Sequence, residues 1–176
     1  SRFIIVWLRL TCHIHYQIEG IENLPKNSTA IILSKHQSTW ETLAFQVIFP
    51  PQCWVLKKEL LNVPFFGWAL RLLEPIAINR NDRKSALEQM LQQGKEKLSQ
   101  GRWIVVFPEG TRCKPGENRA FTKGGATLAE QSQYPVIPVT HNAGLFWPRR
   151  GFLKKPGTII VKIGPLIETA NLSARE

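Results

Sequence analysis

The chain contains 176 residues, enough for one domain with its own hydrophobic core, and we expect a single domain over residues 1–176. Its hydrophobic content of 43% argues against an intrinsically disordered protein. Lys and Arg outnumber Asp and Glu by 23 to 13, which gives a net charge of +10. This charge predicts an anionic partner: nucleic acid, an anionic membrane or a phosphorylated substrate.

The three cysteines of the chain, Cys12, Cys53 and Cys113, form no Cys-x-x-Cys pair. We therefore expect neither a disulfide framework nor a zinc site, and a reducing compartment is favoured. His13 and His15 would share one face of a strand, but no third ligand follows nearby. We therefore expect no metal site.

The chain begins with Ser1 and an apolar run at residues 3–8. This run is too short to span a bilayer, which needs about 20 apolar residues. We expect that an upstream segment is missing. The run is then either the tail of a membrane segment or an amphipathic start, and no complete signal peptide is visible.

Short apolar runs alternate with helical patterns along the chain. We predict strands at residues 29–34, 53–56, 75–78, 103–107, 134–140 and 158–163. We predict helices at residues 38–49, between an Asp82 cap and Gly101, and after residues 123–125, with a broken helical segment at 57–73 interrupted at Pro64 and Gly67. This alternation predicts an α/β fold, a layered domain with a mixed, mostly parallel sheet flanked by helices. Two prolines at 134–140 indicate an edge strand or a bulge.

A histidine and a carboxylate frame the start of the first of these helices. Ser38-x-x-Glu41 predicts a capping box, with Ser38 as the N-cap. His36 would then lie on the preceding loop, where Glu41 can reach back to it, one carboxylate oxygen serving the backbone and the other the imidazole. A histidine oriented by a carboxylate is the general-base half of a catalytic triad. The alternative is a capping box beside an incidental histidine.

Charged residues follow several of the predicted strands. Ligands of open α/β sheets bind beyond the carboxyl ends of strands, where His36, Arg80 and Glu109 all fall. Arg80 and Arg112 are either ordinary surface arginines or a phosphate clamp, because guanidinium matches phosphate oxygens bidentately. Glu109 is expected to pair with an arginine or to accept hydrogen bonds from substrate hydroxyls.

Three more residues are candidate anion ligands. Gly110 and Thr111 add a backbone N–H and a hydroxyl, and Lys123 adds a charge beside two glycines. Residues 65–68 are unusually aromatic, and residues 147–155 interleave aromatic and basic side chains. Both segments are candidates to face an anionic lipid surface. For residues 65–68 the alternatives are core packing and an acyl-chain channel, and for residues 147–155 the alternative is an ordinary basic loop.

Four segments, in this order, resemble the sequence blocks of the glycerolipid acyltransferases. They are His36-x4-Glu41, Glu-Pro-Ile-Ala-Ile-Asn-Arg at 74–80, Phe-Pro-Glu-Gly-Thr-Arg at 107–112 and Val-Ile-Pro-Val at 136–139. The resemblance covers about residues 15–167 and is nearest to the 1-acyl-glycerol-3-phosphate acyltransferase (PlsC-type) branch. The chain departs from that pattern in having Glu41 where Asp is usual, Glu74 where Gly opens the second block, Ala77 near a usual Phe, and Cys113 where Ser is common.

The resemblance implies a glycerolphosphate-acyltransferase-like fold and an O-acyltransferase. His36, held by Glu41, would remove the proton from the sn-2 hydroxyl of lysophosphatidic acid, which then attacks the thioester of acyl-CoA or acyl-carrier protein. No cofactor is expected. Phosphatidic acid would be the product. Alternatives are another lyso-phospholipid or lyso-aminolipid acceptor, glycerol 3-phosphate, or a non-catalytic lipid-phosphate-binding membrane module.

The resemblance also implies roles for the remaining candidates. Arg80 and Arg112, with Thr111 and Lys123, would hold the phosphate, while Glu109 orders this cluster and Pro138 belongs to the acyl side. The implied partners are the acyl donor, lysophosphatidic acid and an anionic membrane surface, at the cytoplasmic face of a bacterial inner membrane. Nucleic acid is not expected, because no reader motif is present.

Overall fold

The computed structural model describes residues 1–79 and 81–174, except for the side chain at position 83. The helices are α1 Arg2–Cys12, α2 Trp40–Ile48, α3 Phe66–Arg71, α4 Arg83–Ser99, α5 Gly124–Ser132 and α6 Ala143–Phe146. The strands are β1 Ile14–Glu19, β2 Ile31–Ser34, β3 Gln52–Lys57, β4 Ile76–Ile78, β5 Trp103–Val106, β6 Val136–His141 and β7 Gly157–Ile163. Two 3₁₀ turns lie at Ile21–Asn23 and Lys58–Asn62.

The strands form one sheet in the order β1-β7-β6-β2-β5-β3-β4. The β6–β7 pair is antiparallel and the other neighbouring pairs are parallel. β2 lies near the centre, between β6 and β5, so its carboxyl end meets the carboxyl ends of both neighbours. The predicted α/β fold with a mixed, mostly parallel sheet is confirmed.

Both faces of the sheet are covered, which explains why the central strands are apolar without interruption. On one face, α1 and α2 pack on a core that includes Ile32, Trp40 and Phe45. On the other face, α4 and α5 pack on a core that includes Ile104 and Leu128. Adjacent residues of a strand contribute to opposite cores, because side chains alternate along a strand.

The ends of α4 follow the sequence prediction. The Asp82 carboxylate accepts a hydrogen bond from the backbone N–H of Lys84 at 3.0 Å, as an N-cap residue does. At the other end Gly101 adopts a φ of 76°, and its N–H donates to the carbonyl of Leu98 at 3.0 Å. A left-handed glycine after the last helical residue is a common helix end.

Several local predictions are wrong. His13 ends α1 with a φ of 51°, so it shares no strand with His15. Helix α2 begins at Trp40 rather than beside Ser38. Gly67 lies inside α3, where a Cβ would lie 2.3 Å from the carbonyl oxygen of Leu61. Close packing therefore accounts for this glycine, and the helical interruption precedes it.

The predicted edge position of β6 is also wrong, because β6 lies between β7 and β2. On the β2 side, the ladder uses Val139, whose carbonyl accepts from the N–H of Lys35 at 3.2 Å. The backbone groups of Pro138 therefore point towards β7. The residue pairing between β6 and β7 starts one residue after Pro138, at Val139. There only the Pro138 carbonyl is engaged, by the N–H of Gly164 at 2.8 Å. A proline is tolerated inside the sheet where no N–H is required.

The N-terminal apolar run forms part of α1. Ile5 and Leu8 are buried against the sheet, whereas Phe3, Trp7 and Leu10 are exposed. The buried face of α1 and much of its exposed face are therefore both apolar. Among residues 1–79 and 81–174, no helix combines the length and apolar character needed to cross a bilayer.

Candidate active site

Two of the predicted functional residues, His36 and Glu109, lie together with His141 at the carboxyl ends of β2, β5 and β6. His36 lies on the loop after β2, Glu109 on the loop after β5, and His141 at the end of β6. Because these strands are parallel neighbours, their carboxyl ends open onto one edge of the sheet. The predicted strand-end positions of His36 and Glu109 are thus confirmed.

The backbone of the loop that carries His36 is fixed by its neighbours. The N–H of Lys35 donates to the carbonyl of Val139 at 3.2 Å, and the carbonyl of His36 accepts from the N–H of Cys113 at 2.8 Å. The N–H of His36 donates to Oε2 of the buried Glu109 at 2.9 Å. Strand β6 and the loop after β5 therefore hold this loop from two directions.

The Glu41 carboxylate orients the imidazole of His36. Glu41 is fully buried, and its Oε1 lies 2.9 Å from Nδ1 of His36. The same oxygen accepts from the backbone N–H groups of Gln37 at 2.8 Å and Ser38 at 2.7 Å. Because Oε1 already accepts from two backbone N–H groups, it is an acceptor towards Nδ1 as well, and this assigns the Nδ1-protonated tautomer to neutral His36, with Nε2 as an acceptor.

We predicted that one carboxylate oxygen of Glu41 would bond to the backbone and the other to the imidazole, and the structure differs. Oε1 serves both the imidazole and the backbone, while Oε2 is buried without a hydrogen-bond partner in the described part of the chain. The capping box is also modified, because the Ser38 hydroxyl accepts from the N–H of Trp40 at 3.1 Å instead of that of Glu41. The Glu41 carboxylate thus bonds both to the backbone at the start of α2 and to the imidazole of His36.

The imidazole of His36 stacks on an aromatic ring. The ring centroids of His36 and Phe107 are 3.9 Å apart, with an angle of 12° between the planes. Phe107 in turn contacts Trp54 at 5.3 Å. The side chain of His36 is 18% exposed, and within the described ranges its Nε2 has no hydrogen-bond partner in the protein. The ring is therefore held on one side and accessible at its acceptor nitrogen.

Arg112 is joined to the same region. Its Nη1 donates to the hydroxyl of Thr39 at 2.8 Å, and Thr39 immediately precedes α2. Its carbonyl accepts from the guanidinium of Arg149 at 3.0 Å. The bond to Thr39 fixes the guanidinium beside the His36 loop. A guanidinium has five N–H donors, and this bond uses one of them.

The other residues of the Phe-Pro-Glu-Gly-Thr-Arg segment form a turn beside this arginine. Gly110 is exposed and has a φ of 70°, a conformation that disfavours other residues. Thr111 is half-buried. The carbonyl of Pro108 accepts from the N–H and the hydroxyl of Thr122, at 2.8 and 3.0 Å. This anchors the turn to the segment that leads into α5.

Two further candidates, Lys123 and Pro138, are not joined to this cluster. Lys123 is exposed at the start of α5, and among the described residues its side chain makes no hydrogen bond or ion pair to His36 or Arg112. Pro138 lies between Ile137 and Val139, which belong to the α1/α2 core, so its ring points to the opposite face. Arg80 lies outside the described residues.

His141 is a site residue that the sequence interpretation did not include. Its Nε2 lies 2.9 Å from the carbonyl oxygen of Lys35 and 4.0 Å from Oε1 of Glu41. A signal was present, since His141 follows the apolar run of a predicted strand, as His36 does. The contact itself requires the order of β6 and β2, which a local pattern does not encode.

The fold and this site define an α/β domain with a histidine–carboxylate pair at the carboxyl end of a central parallel strand. Residues 15–142 match the protein-family model described as Acyltransferase, so the chain belongs to the acyltransferase family. Over 164 residues it is 52% identical to the 1-acyl-sn-glycerol-3-phosphate acyltransferase of Pseudomonas aeruginosa, covering 93% of this chain and 63% of that protein.

Two further relatives support the same family. The chain is 35% identical to the 1-acyl-sn-glycerol-3-phosphate acyltransferase of Saccharomyces cerevisiae, covering 95% of this chain and 59% of that protein. The crystal structure of PlsC from Thermotoga maritima, a 1-acyl-sn-glycerophosphate (LPA) acyltransferase, matches with a TM-score of 0.79 and 26% identity, covering 97% of this chain and 66% of that one. The chain thus spans about 60% of the length of these curated relatives.

Proposed function

We propose that this chain is the catalytic domain of an O-acyltransferase that transfers an acyl group from a thioester donor to the sn-2 hydroxyl of lysophosphatidic acid. Phosphatidic acid and a free thiol are the products. The observation that carries the proposal is the 2.9 Å contact between His36 Nδ1 and the buried Glu41. The names of the relatives from Pseudomonas aeruginosa and Saccharomyces cerevisiae support lysophosphatidic acid as the acceptor.

The chemistry begins at Nε2 of His36. With its proton on Nδ1 and bonded to Glu41, His36 accepts the proton of the sn-2 hydroxyl at Nε2. The hydroxyl oxygen attacks the thioester carbonyl and forms a tetrahedral intermediate. The carbon–sulfur bond then breaks, and the imidazolium returns its proton to the departing thiolate. General-base assistance is typically worth about 10²- to 10⁴-fold, and Glu41 stabilises the imidazolium that forms.

No covalent acyl-enzyme is required in this sequence of steps. The chain has no Gly-x-Ser-x-Gly segment, which in α/β-hydrolases places a serine nucleophile on a sharp turn. The remaining rate acceleration is supplied by holding donor and acceptor together, since correct placement is worth several kcal/mol, about 7–11 in the best cases. The donor is acyl-CoA or acyl-carrier protein, and no cofactor takes part.

The acceptor phosphate is assigned to the arginine beside the His36 loop. The bond from Arg112 to Thr39 holds a guanidinium beside the His36 loop, and we assign this guanidinium to the acceptor phosphate. Thr111 adds a hydroxyl next to it, whereas the N–H of Gly110 already donates to the carbonyl of Phe107 at 3.0 Å. Arg80 and Lys123 complete the proposed phosphate site, Glu109 holds the loop, and Pro138 is assigned to the acyl side.

The proposed acceptor, lysophosphatidic acid, resides in a membrane, and the protein surface carries exposed segments suited to a bilayer. Phe65 is 77% exposed and Trp68 is 59% exposed, so the core-packing alternative for residues 65–68 is wrong. Phe152 and Leu153 are 89% and 79% exposed. Nearby, the ammonium of Lys154 lies 4.7 Å from the ring centre of Trp147. We assign these segments to an anionic membrane surface, at the cytoplasmic face of a bacterial inner membrane.

The acceptor assignment is tested by following thiol release from palmitoyl-CoA with a panel of acceptors. The panel contains lysophosphatidic acid, glycerol 3-phosphate, a lysophosphatidylcholine and a lyso-aminolipid, and acyl-carrier protein replaces CoA in a parallel series. We expect the highest kcat/KM with lysophosphatidic acid. Faster turnover with another acceptor would reassign the substrate, and binding of lysophosphatidic acid without any thiol release would point to a non-catalytic module.

A further inference from the structure

His141 makes two side-chain hydrogen bonds next to the Glu41–His36 pair. Its Nε2 lies 2.9 Å from the carbonyl oxygen of Lys35, and because a carbonyl only accepts, Nε2 carries a proton and donates it. The backbone N–H of Ala143 donates to Nδ1 at 3.3 Å, so Nδ1 carries none. An imidazole with a single proton is neutral.

The surroundings of His141 favour this neutral form. The side chain is fully buried. Burial lowers the pKa of His141, and the nearby carboxylates of Glu41 and Glu109 and the carbonyl of Lys35 oppose this change without cancelling it, while His36 adds to it. The hydrogen-bond geometry and the electrostatics therefore agree on a neutral donor.

We propose that His141 is a positioning residue for acyl transfer, which fixes the Lys35 carbonyl and so holds His36 at the distance from Glu41 that the general base requires. The inference rests on the function proposed above. His141 touches neither reacting group in this account. It acts through one peptide unit, since the carbonyl of Lys35 and the N–H of His36 belong to the same planar amide.

The position of His141 also leaves the Glu41 carboxylate bonded to His36 rather than to His141. Glu41 Oε1 lies 4.0 Å from Nε2 of His141 but 2.9 Å from Nδ1 of His36. A neutral imidazole whose proton is already donated to Lys35 does not compete for the carboxylate. A protonated histidine at the same place would form an ion pair with Glu41 and weaken its support of the His36 imidazolium.

Two substitutions separate the hydrogen bonds of His141. In His141→Gln the amide nitrogen takes the place of Nε2 and retains a donor for the Lys35 carbonyl. In His141→Asn the shorter amide keeps an acceptor for Ala143 but does not reach Lys35. The Lys35 carbonyl is then left with the hydroxyl of Ser34 at 3.0 Å as its partner. His141→Gln is therefore the matched control for His141→Asn.

The kinetic test measures kcat and KM for both substrates in each variant, after circular dichroism has shown that the variant is folded. We expect His141→Asn to lower kcat on the order of 10²-fold, as small misplacements of a catalytic group do, with both KM values little changed. His141→Gln should recover most of the lost kcat. Wild-type kcat in His141→Asn would overturn the inference, and so would an inactive but folded His141→Gln, which would indicate a chemical role.

A second readout does not depend on turnover. An imidazole N–H bonded to a carboxylate gives a downfield proton resonance in NMR spectra, and we expect this resonance for His36 in the wild type and in His141→Gln. It should be lost or broadened in His141→Asn. If the resonance follows this pattern while no acceptor is acylated, the proposed function fails and the positioning role stands. An unchanged resonance in His141→Asn would refute the positioning role directly.

Discussion

The carboxylate of Glu109 accepts a hydrogen bond from the backbone N–H of His36 at 2.9 Å, although the two residues are 73 positions apart. Glu109 is 4% exposed, so this bond is shielded from water. The Phe-Pro-Glu-Gly-Thr-Arg segment therefore supports the loop that follows β2. Its acidic residue holds the loop that carries the proposed base.

This relationship predicts different effects for two substitutions of Glu109. Glu109→Ala leaves the buried N–H of His36 unpaired, which costs about 1–3 kcal/mol in the free energy of unfolding, and it lowers kcat because the loop is released. Glu109→Gln keeps an acceptor oxygen and should lose less of both. Urea unfolding and thiol-release kinetics measure the two effects. If both variants had the stability and the kcat of the wild type, the bond between Glu109 and His36 would be dispensable.

The sequence was sufficient to predict the site wherever the interaction is local. Glu41 and His36 are five residues apart, and the helix start between them brings the two side chains within reach of each other, while bonds from distant segments fix the loop. The apolar runs around Ile32 and Val105 likewise predicted strands, because buried parallel strands have a continuous apolar pattern. The fold class followed from their alternation with helices.

Interactions between distant segments were not predictable in the same way. The bonds from Glu109 to His36 and from His141 to Lys35 depend on which strands are neighbours in the sheet. Strand order is not encoded in a local pattern, and for the same reason the sequence left open an edge position for β6 that the sheet order excludes. The proposed contacts of Lys123 with phosphate stay a prediction.

A second prediction concerns Glu74, at the position where the second sequence block of the resembled family usually has glycine. Its φ is 46°, in the left-handed region that glycine tolerates and other residues resist. Its carboxylate forms ion pairs with Lys97 at 2.8 Å and Arg102 at 2.9 Å, and these hydrogen-bonded charges lower the pKa of Glu74. The ion pairs accompany a strained backbone.

Glu74→Gly and Glu74→Ala both remove the ion pairs, but only glycine relieves the backbone. We therefore expect Glu74→Gly to unfold at a higher denaturant concentration than Glu74→Ala. Chemical denaturation followed by circular dichroism provides the comparison. A lower midpoint for the glycine variant would mean that the greater freedom of glycine in the unfolded chain outweighs the strain.

A third prediction is the acid sensitivity of the fold. Burial lowers the pKa of His141 from its ordinary value of 6.5, so below about pH 6.5 the unfolded chain binds a proton that the folded chain resists. The free energy of unfolding then falls as the pH decreases, by up to about 1.4 kcal/mol per pH unit for one proton. Above that pH the contribution is constant.

Urea unfolding of the wild type and of His141→Gln between about pH 5 and pH 8 isolates this term, since that is the range in which histidine titrates. The variant lacks the buried imidazole, so its stability should decline less steeply on acidification. His13 and His15 are common to both proteins and cancel in the comparison, whereas His36 interacts electrostatically with His141 and contributes to the difference. Identical slopes would show that His141 takes up its proton without cost in the folded state.

A fourth prediction addresses the membrane surface. Replacing Phe65, Trp68, Phe152 and Leu153 with serine removes exposed apolar area, so we expect weaker co-sedimentation with anionic vesicles. Replacing Arg149 and Lys155 with glutamine should weaken binding to anionic vesicles while leaving the weaker binding to neutral vesicles unchanged, because charge attraction requires anionic lipid. Undiminished sedimentation of the combined variant would exclude these segments from the membrane contact.

The most direct measurement for the whole account is the rate of thiol release from acyl-CoA in the presence of lysophosphatidic acid for wild type, His36→Ala and Glu41→Gln. With lipid binding and unfolding midpoints checked in parallel, we predict that His36→Ala loses about 10²- to 10⁴-fold in kcat, the usual contribution of a general base. Glu41→Gln should show a large loss as well, because a neutral amide supports the His36 imidazolium poorly. Wild-type turnover in His36→Ala would contradict the account, since the proton would then leave the acceptor hydroxyl by another route.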